Sequence, residues 1–481
     1  MSRPTAQRQS PIVDTRGAPI IVNRAPGSSY EGANNGARAK HWYAPGTGPN
    51  TSLTGSLAQL RNRSRASERN NPWSWQAIDR WVSNEVGVGV TLRSKATTDT
   101  ARQQLDTLWA ITRDQLDPAK TNNIGGIQAL AVRCRRVSGE VFLRRIRRRI
   151  DSGLKVPLQI QILEPDHIPE ADNRTLPNGN RVRSGIEFNR LGERVAVWVY
   201  PSHPGDGEGM GTGTVRIPAR DIIHHYIPTR PGQIRGEPSA ARSLLPAHTF
   251  DEYEDSELTR KRTRAPYTGF ITREQYSEAD YKYDPISGQP IDPDSDGMAS
   301  LDVEAGTILS GLPGETMTLF DGDKGGEGYM PYARSVLMKI SAGHGVPYEL
   351  ISGDWSGVND RLVRAILNEF RRSIEAAQDH ALIFQLCNGI WGWFVDAAVF
   401  TGQVTATGYA DNRADYTAVH ARPHAWEYIH PVQDIDSKLK KLAARLTSRQ
   451  TLADEMPGLS AEEIDQQIDA DPHYDKAIAS V

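Results

Sequence analysis

The chain has 481 residues, with 24% charged and 38% apolar side chains and a net charge of -3. That is enough polypeptide for roughly three domains with a sizeable core, and the near balance of charge excludes a uniformly basic nucleic-acid binder. Cys134 and Cys387 are the only cysteines; they exclude a disulfide scaffold, a CxxC redox site and a Cys-based zinc site, and fit a reducing compartment.

Residues 1–70 are rich in Gly, Ser, Asn and Pro and hold ten basic side chains against three acids. Residues 1–60 read as a basic, flexible N-terminal arm: a loose tail, or an arm that touches a neighbour or an acidic partner. Residues 1–40 lack the continuous apolar run of a secretory signal. Order is expected from about residue 60. After Asn71-Pro72, the spacing of Trp75, Ile78, Val82 and Val86 predicts a helix that Gly87 stops. Two more helices are expected over about 98–116 and 123–137. The period then shortens. EVFLRRIRRRI, a DSGLK turn and VPLQIQILEPDHI read as strands, followed by SGIEFN, ERVAVWVYP and TVRIPARDIIHHY. The glycines of GDGEGMGTG lead into a strand without GxGxxG spacing, so they read as a surface loop.

Helix returns over 238–264, where Pro246 is expected to introduce a kink. Residues 266–326 read as a small strand-and-loop region whose middle, 277–305, carries eight acids against Lys282 alone. TILSGL and TMTLF, joined across Pro313-Gly314, are expected to close it. A helix over about 329–344, the loop GVPYELISGDWSGVN and a helix of about 60 Å over 360–400 follow. Two helices are expected at the C-terminus, the last opened by the capping box Ser460-Ala-Glu-Glu463.

Familiar catalytic signatures are missing. There is no GxxxxGK[ST], GxSxG or HExxH. Asp292-Pro-Asp294-Ser-Asp296-Gly297 starts like a calcium loop, but its twelfth position is Val303, which offers no bidentate carboxylate. His420, His424 and His430 lie in a proline-containing strip and read as scattered surface histidines. Arg144, Arg145, Arg147, Arg148 and Arg149 would be split by strand alternation between two faces, and are expected to pair with acids of the fold or of a neighbouring subunit. Ala381–Phe400 is long enough for a membrane span, but Gln385, Asn388 and Asp396 argue for a buried helix.

Taken in order, several blocks resemble one family: RASERNNPWSWQAIDRWVSNEVGVGVTL, SGEVFLRRI, LQIQILEPDHI, GIEFNRLGERVAVWVY, RIPARDIIHHYIPTRPGQIRGEPSAARSLL, LPGETMTLF and ISAGHGVPYELISGDWSGVNDRLVRA. Together they resemble the portal proteins of lambda-like tailed bacteriophages over about residues 60–475. Two stretches depart from the family pattern, Val358-Asn359-Asp360-Arg361 after the loop and Asp434-Ile435-Asp436 near the crown.

The resemblance implies an α+β portal fold. Its parts would be a helical and β-rich wing (61–237), stem helices (238–265 and 327–344) around a small α/β clip (266–326), a tunnel loop (345–359), a long wing helix and return (360–423) and a helical crown (424–481). It implies a ring, usually of twelve copies, at one capsid vertex, assembled in the host cytoplasm and carried in the virion. Double-stranded DNA would pass without sequence readout during packaging and ejection. The ring would dock the terminase large subunit, then a head-tail adaptor, and would meet the major capsid protein and a scaffold where one exists. Val346, Gly353, Asp354, Trp355 and Ser356 would face the channel. Asp280, Asp284, Asp292, Asp294 and Asp296 would form the clip docking surface. No catalytic residue, metal, cofactor or membrane is expected. The competing readings are a metal-dependent nuclease or hydrolase using the acids of 278–304, and a membrane-inserted pore resting on 381–400.

Overall fold

The computed structural model describes residue 33 and residues 40–206, 213–264, 269–273, 315–319, 328–424, 426, 431–454 and 461–471. Two units divide at Gly48. In the first, residues 42–48 are irregular, with short bonds such as the Tyr43 amide to the His41 carbonyl (3.2 Å).

The second unit mixes helix and sheet. It opens with helices α1 (Pro49–Leu53), α2 (Leu57–Asn70) and α3 (Pro72–Glu85), strand β1 (Thr91–Ser94), and helices α4 (Asp99–Thr112) and α5 (Ile124–Ser138). Local chemistry sets these ends. The Asn71 side chain accepts from the Ser74 amide at 2.8 Å, and Pro72 takes the first helical position, where its missing N–H costs nothing. Asn123 caps α5 in the same way, and Gly139 ends it at φ 90°. A side chain at Gly139 would strike the backbone of Gly236 and Glu237, so glycine lets two chain segments cross in contact. Trp75 differs from expectation. It is exposed, with the Arg133 guanidinium 4.5 Å over its ring, while Ile78, Val82 and Val86 are buried.

Among the described residues, eight strands make up the β-rich part beyond α5. β2 (Glu140–Arg147), β3 (Leu158–Leu163) and β9 (Ile222–Tyr226) form an antiparallel sheet in the order β3-β2-β9. β4 (Arg174–Thr175), β5 (Arg181–Arg183), β6 (Ile186–Phe188), β7 (Arg194–Val199) and β8 (Val215–Pro218) form an antiparallel meander. The run TVRIPARDIIHHY is therefore two strands in two sheets. Pro218, with no N–H for a ladder, ends β8, and a 3-10 turn at Ala219–Asp221 carries the chain across. Most of the GDGEGMGTG run lies outside the described residues.

After a 3-10 turn (Ser239–Arg242) comes α6 (Leu244–Arg264). Pro246 sits in its first turn, where no intrahelical bond is lost, so the expected kink has no cause. β10 (Gly269–Arg273) pairs antiparallel with β11 (Glu315–Leu319), and these strands bracket residues 274–314, which lie outside the described residues. The expected partner TILSGL is among those. α7 (Tyr329–His344) runs antiparallel to α6: Tyr253 stacks on Tyr329, and Ser243 abuts Gly343. Ala247, Phe250, Ala333, Val336, Leu337 and Ile340 fill the seam.

α8 (Tyr348–Ser352) leads to one 41-residue helix, composed of α9 (Asp360–Ala377), a π-helical stretch Gln378–Cys387 and α10 (Asn388–Phe400). It is long and apolar enough to cross a membrane by length and composition. Here its apolar part closes the main core: Trp109 meets Trp391 edge-on at 5.3 Å and Phe394 at 4.9 Å, beside the buried Leu382, Leu386 and Ile390. Gln385 has a structural partner in its amide, which takes the Tyr226 N–H (3.1 Å) and donates to the Tyr226 carbonyl (3.0 Å), pairing with the β9 edge as a strand would. The short α11 (Arg413–Tyr416), β12 (Val419–Arg422, paired with β1), α12 (Pro431–Ala443), α13 (Arg449–Asp454) and α14 (Ala461–Ala470) complete the described chain.

Candidate functional site

The segment joining α7 to α9 is built from its two ends inward. Gly345 ends α7 in a left-handed turn at φ 71°, and Asn359 starts α9 by accepting from the Leu362 amide at 2.9 Å. Between them α8 makes one short turn that Gly353 stops at φ 68°. The loop is held from beneath. Val346 and Ile351 are buried with Ala77, Trp81, Phe370 and Ile374, and Trp81 meets Phe370 edge-on at 5.4 Å. The Trp81 indole donates to the His344 carbonyl at 2.8 Å. Val346, one of the residues expected to face a channel, is thus an anchor turned into the protein, 3% exposed.

Gly353, Asp354, Trp355 and Ser356 are brought together at the outer turn. Asp354 accepts from the Ser356 amide (3.0 Å) and the Tyr348 hydroxyl (3.0 Å). Its bond with the Ser356 hydroxyl and the amide bond hold the carboxyl below the usual range. The group is therefore a fixed negative charge. Trp355 is 41% exposed although large and apolar. This turn can present an aromatic wedge beside one anion.

The joint beneath the loop carries a feature sequence reasoning missed. His344 is buried, and neither ring nitrogen has a hydrogen-bond partner. Burial, then the nearby Arg136 charge, push its pKa down to about 4. Arg136 itself lies over the Trp81 ring at 3.4 Å. A histidine at the end of a helix pattern gives no warning of this, because the neighbours come from α3 and α5.

Ion networks tie the β-rich part together. Glu140 is fully buried. Burial alone would raise its pKa, but Arg235 (2.7 Å), the His224 ring (2.7 Å) and the Gly236 amide (2.9 Å) outweigh burial and bring it to about 2. Arg145 and Arg147 both bind Asp221, which matches strand alternation and the expected pairing within the fold. Glu164, Asp166 and His203 form, among the described residues, the one group of three metal-capable side chains. The Arg65 guanidinium already sits 2.7 Å from Glu164 and 2.5 Å from Asp166, and Arg61 lies 3.6 Å from Asp166, so side-chain cations already pair with these carboxylates. His420 and His424 are not part of that group, and His430 lies outside the described residues. So do the candidate docking residues Asp280, Asp284, Asp292, Asp294 and Asp296, the calcium-like loop and all of the acids of 278–304.

A family profile described as phage portal protein, lambda family, matches residues 35–378. A probable portal protein of Halomonas phage phiHAP-1 is 26% identical over 280 residues, 58% of this chain and 52% of that protein. A portal protein of Escherichia phage N15 is 24% identical over 268 residues, 52% of this chain and 49% of that protein. The chain spans about half the length of these curated relatives. Among solved structures, one from the neck of an empty gene transfer agent particle aligns with TM-score 0.48 and 14% identity, covering 88% of this chain and 98% of that one. One from the neck of a native particle, computed with C12 symmetry, aligns with TM-score 0.48 and 14% identity, covering 84% and 95%.

Proposed function

The chain belongs to the lambda family of phage portal proteins, and from that membership we propose that it forms a ring-shaped channel at one capsid vertex through which double-stranded DNA is packaged and ejected. The supporting observation is the α6–α7 hairpin followed by a short, anchored loop whose outer turn carries an exposed tryptophan. In this reading the hairpin is the stem, residues 266–326 are the clip, and 345–359 the tunnel loop. The helices and sheets of 61–237 with the long helix are the wing, and residues 424–481 the crown.

The loop chemistry suits a channel wall. A passing duplex must slide, so sequence-reading contacts would impede it. A run of exposed cations would hold phosphates in a salt-dependent grip. Trp355 beside the fixed charge of Asp354 narrows a passage without either effect. The acid-rich residues 277–305 suit docking of the terminase large subunit and later the adaptor, since like charge keeps them off DNA. The ring meets the capsid protein through its wing and uses no cofactor and no catalytic residue. The test is the mass of purified, detergent-free protein with negative-stain images of the same fraction. A ring of about twelve chains with a central hole is expected. A stable monomer or dimer at every salt concentration overturns the reading.

A further inference from the structure

A cleft of about 760 Å³ opens between α10, β2 and the α11–β12 segment, away from the loop described above. Three guanidinium groups line it: Arg145 from β2, Arg220 from the turn before β9, and Arg413 from α11. One carboxylate, Asp396, lies among them. It accepts from Arg413 through both oxygens (Nε 2.8 Å, Nη2 3.1 Å) and from the Tyr409 hydroxyl (2.7 Å), and Arg145 Nη1 approaches it at 3.6 Å. The Arg145 side chain is 9% exposed and is held from behind by Asp221. Arg220 is 77% exposed and comes no nearer than 3.9 Å to Asp221. The cleft thus has an excess of positive charge, part of it fixed in place and part free at the mouth, where Asn388 also lines the wall.

A second observation is independent of charge. Gly389 and Gly392 both interrupt α10, and glycine inside a helix costs stability relative to alanine. Packing explains Gly389, since a Cβ there would strike Ile223 at 2.6 Å. It does not explain Gly392, where a Cβ would meet only Arg413 Nη2 at an ordinary 3.6 Å. Gly392 is buried at the floor of the cleft, under the Arg413 guanidinium, where it leaves open the space a side chain would fill, beside Trp393, whose indole is already committed to the Arg220 carbonyl (2.8 Å).

We propose that this cleft docks an extended acidic segment of a partner protein, with a carboxylate side chain seated against Gly392 between Arg220 and Arg413. The exposed Arg220 fork supplies bidentate pairing and orientation, Arg413 adds charge beyond its bond to Asp396, and Asn388 on the cleft wall can meet the peptide backbone. The concave shape favours a peptide over DNA. A duplex presents one charge per about 1.7 Å along a stiff rod and is met by open rows of cations. Here the arginine row of β2 is divided, because Arg145 and Arg147 are engaged by Asp221 while alternation turns Arg144 to the opposite face.

The experiment uses the full chain in its assembled form and a fluorescein-labelled peptide of ten glutamates, read by anisotropy. Salt-sensitive binding is expected. Arg220→Glu and Gly392→Leu should each weaken it at least tenfold, while Arg144→Glu leaves it unchanged and melting curves confirm folding. If Gly392→Leu fails to fold, Arg220→Glu still decides, because that side chain is solvent-facing. Absence of peptide binding, or binding indifferent to Arg220→Glu, overturns the proposal. Displacement of the peptide by duplex DNA at equal charge overturns it in favour of a nucleic-acid surface. Loss of assembly in Arg220→Glu overturns it in favour of a contact between copies.

Discussion

His344 shows how one residue couples α7 to α3 and α5. Its native pKa is about 4 and its ordinary value 6.5, so the unfolded chain gains a proton over a pH range where the folded chain does not. Its contribution to stability is complete above about pH 6.5, falls progressively towards pH 4, and is flat below. The full shift corresponds to about 3 kcal/mol. His224, at about 4, and His225, also lowered, add the same sign. Thermal unfolding followed from pH 7 to pH 4 should therefore show Tm falling with acid, and His344→Gln should flatten that slope relative to wild type. An unchanged slope would sink the assignment. Trp355 makes a different prediction. Deleting Gly353–Ser356 should leave the anchored core intact, since Val346 and Ile351 lie outside the deletion, yet reduce the DNA packaged or retained per particle. Full retention in that mutant would remove the loop from the channel wall.

At the scale of elements, the long helix is set by burial as much as by propensity. Its π-helical stretch coincides with Gln378 and Gln385, whose side chains hold the Glu85 carbonyl (2.9 Å) and the Tyr226 backbone. The wider turn fits a helix that must satisfy polar neighbours on one side and pack tryptophans on the next. Gln385→Leu leaves two groups of the β9 edge without these partners and should cost about 2 kcal/mol, read as a lower urea midpoint. Trp391→Ala, at the centre of the aromatic cluster, should cost about 3–5 kcal/mol. At the α3–α6 junction, Asn71 caps α3 and donates to Asp251 (2.8 Å), so Asn71→Ala should cost about 1 kcal/mol or slightly more. A neutral result for all three would contradict the packing described.

For the whole molecule, the oligomer is the decisive quantity. The α6–α7 pair leaves Leu245, Met330, Tyr332 and Met338 exposed in the single chain, and neighbouring copies in a ring would cover such apolar side chains. Leu245→Glu with Met338→Glu should shift the purified protein from rings towards small species in sedimentation, without loss of helix content. Much of this was legible in the chain itself. Periodicity located the early helices, the β-rich run, the α6–α7 pair and the long helix, and Asn71-Pro72 and Gly87 marked the two ends of one of them, because these signals act within a few residues. The order of blocks carried the family. Long-range neighbours were not legible. That Val346 turns inward, Trp75 outward, that TVRIPARDIIHHY changes sheets, that Gln385 mimics a strand and that His344 is buried against Arg136 were decided by tertiary structure. Burial and electrostatic environment depend on residues hundreds of positions apart, and no local pattern encodes which of them will meet.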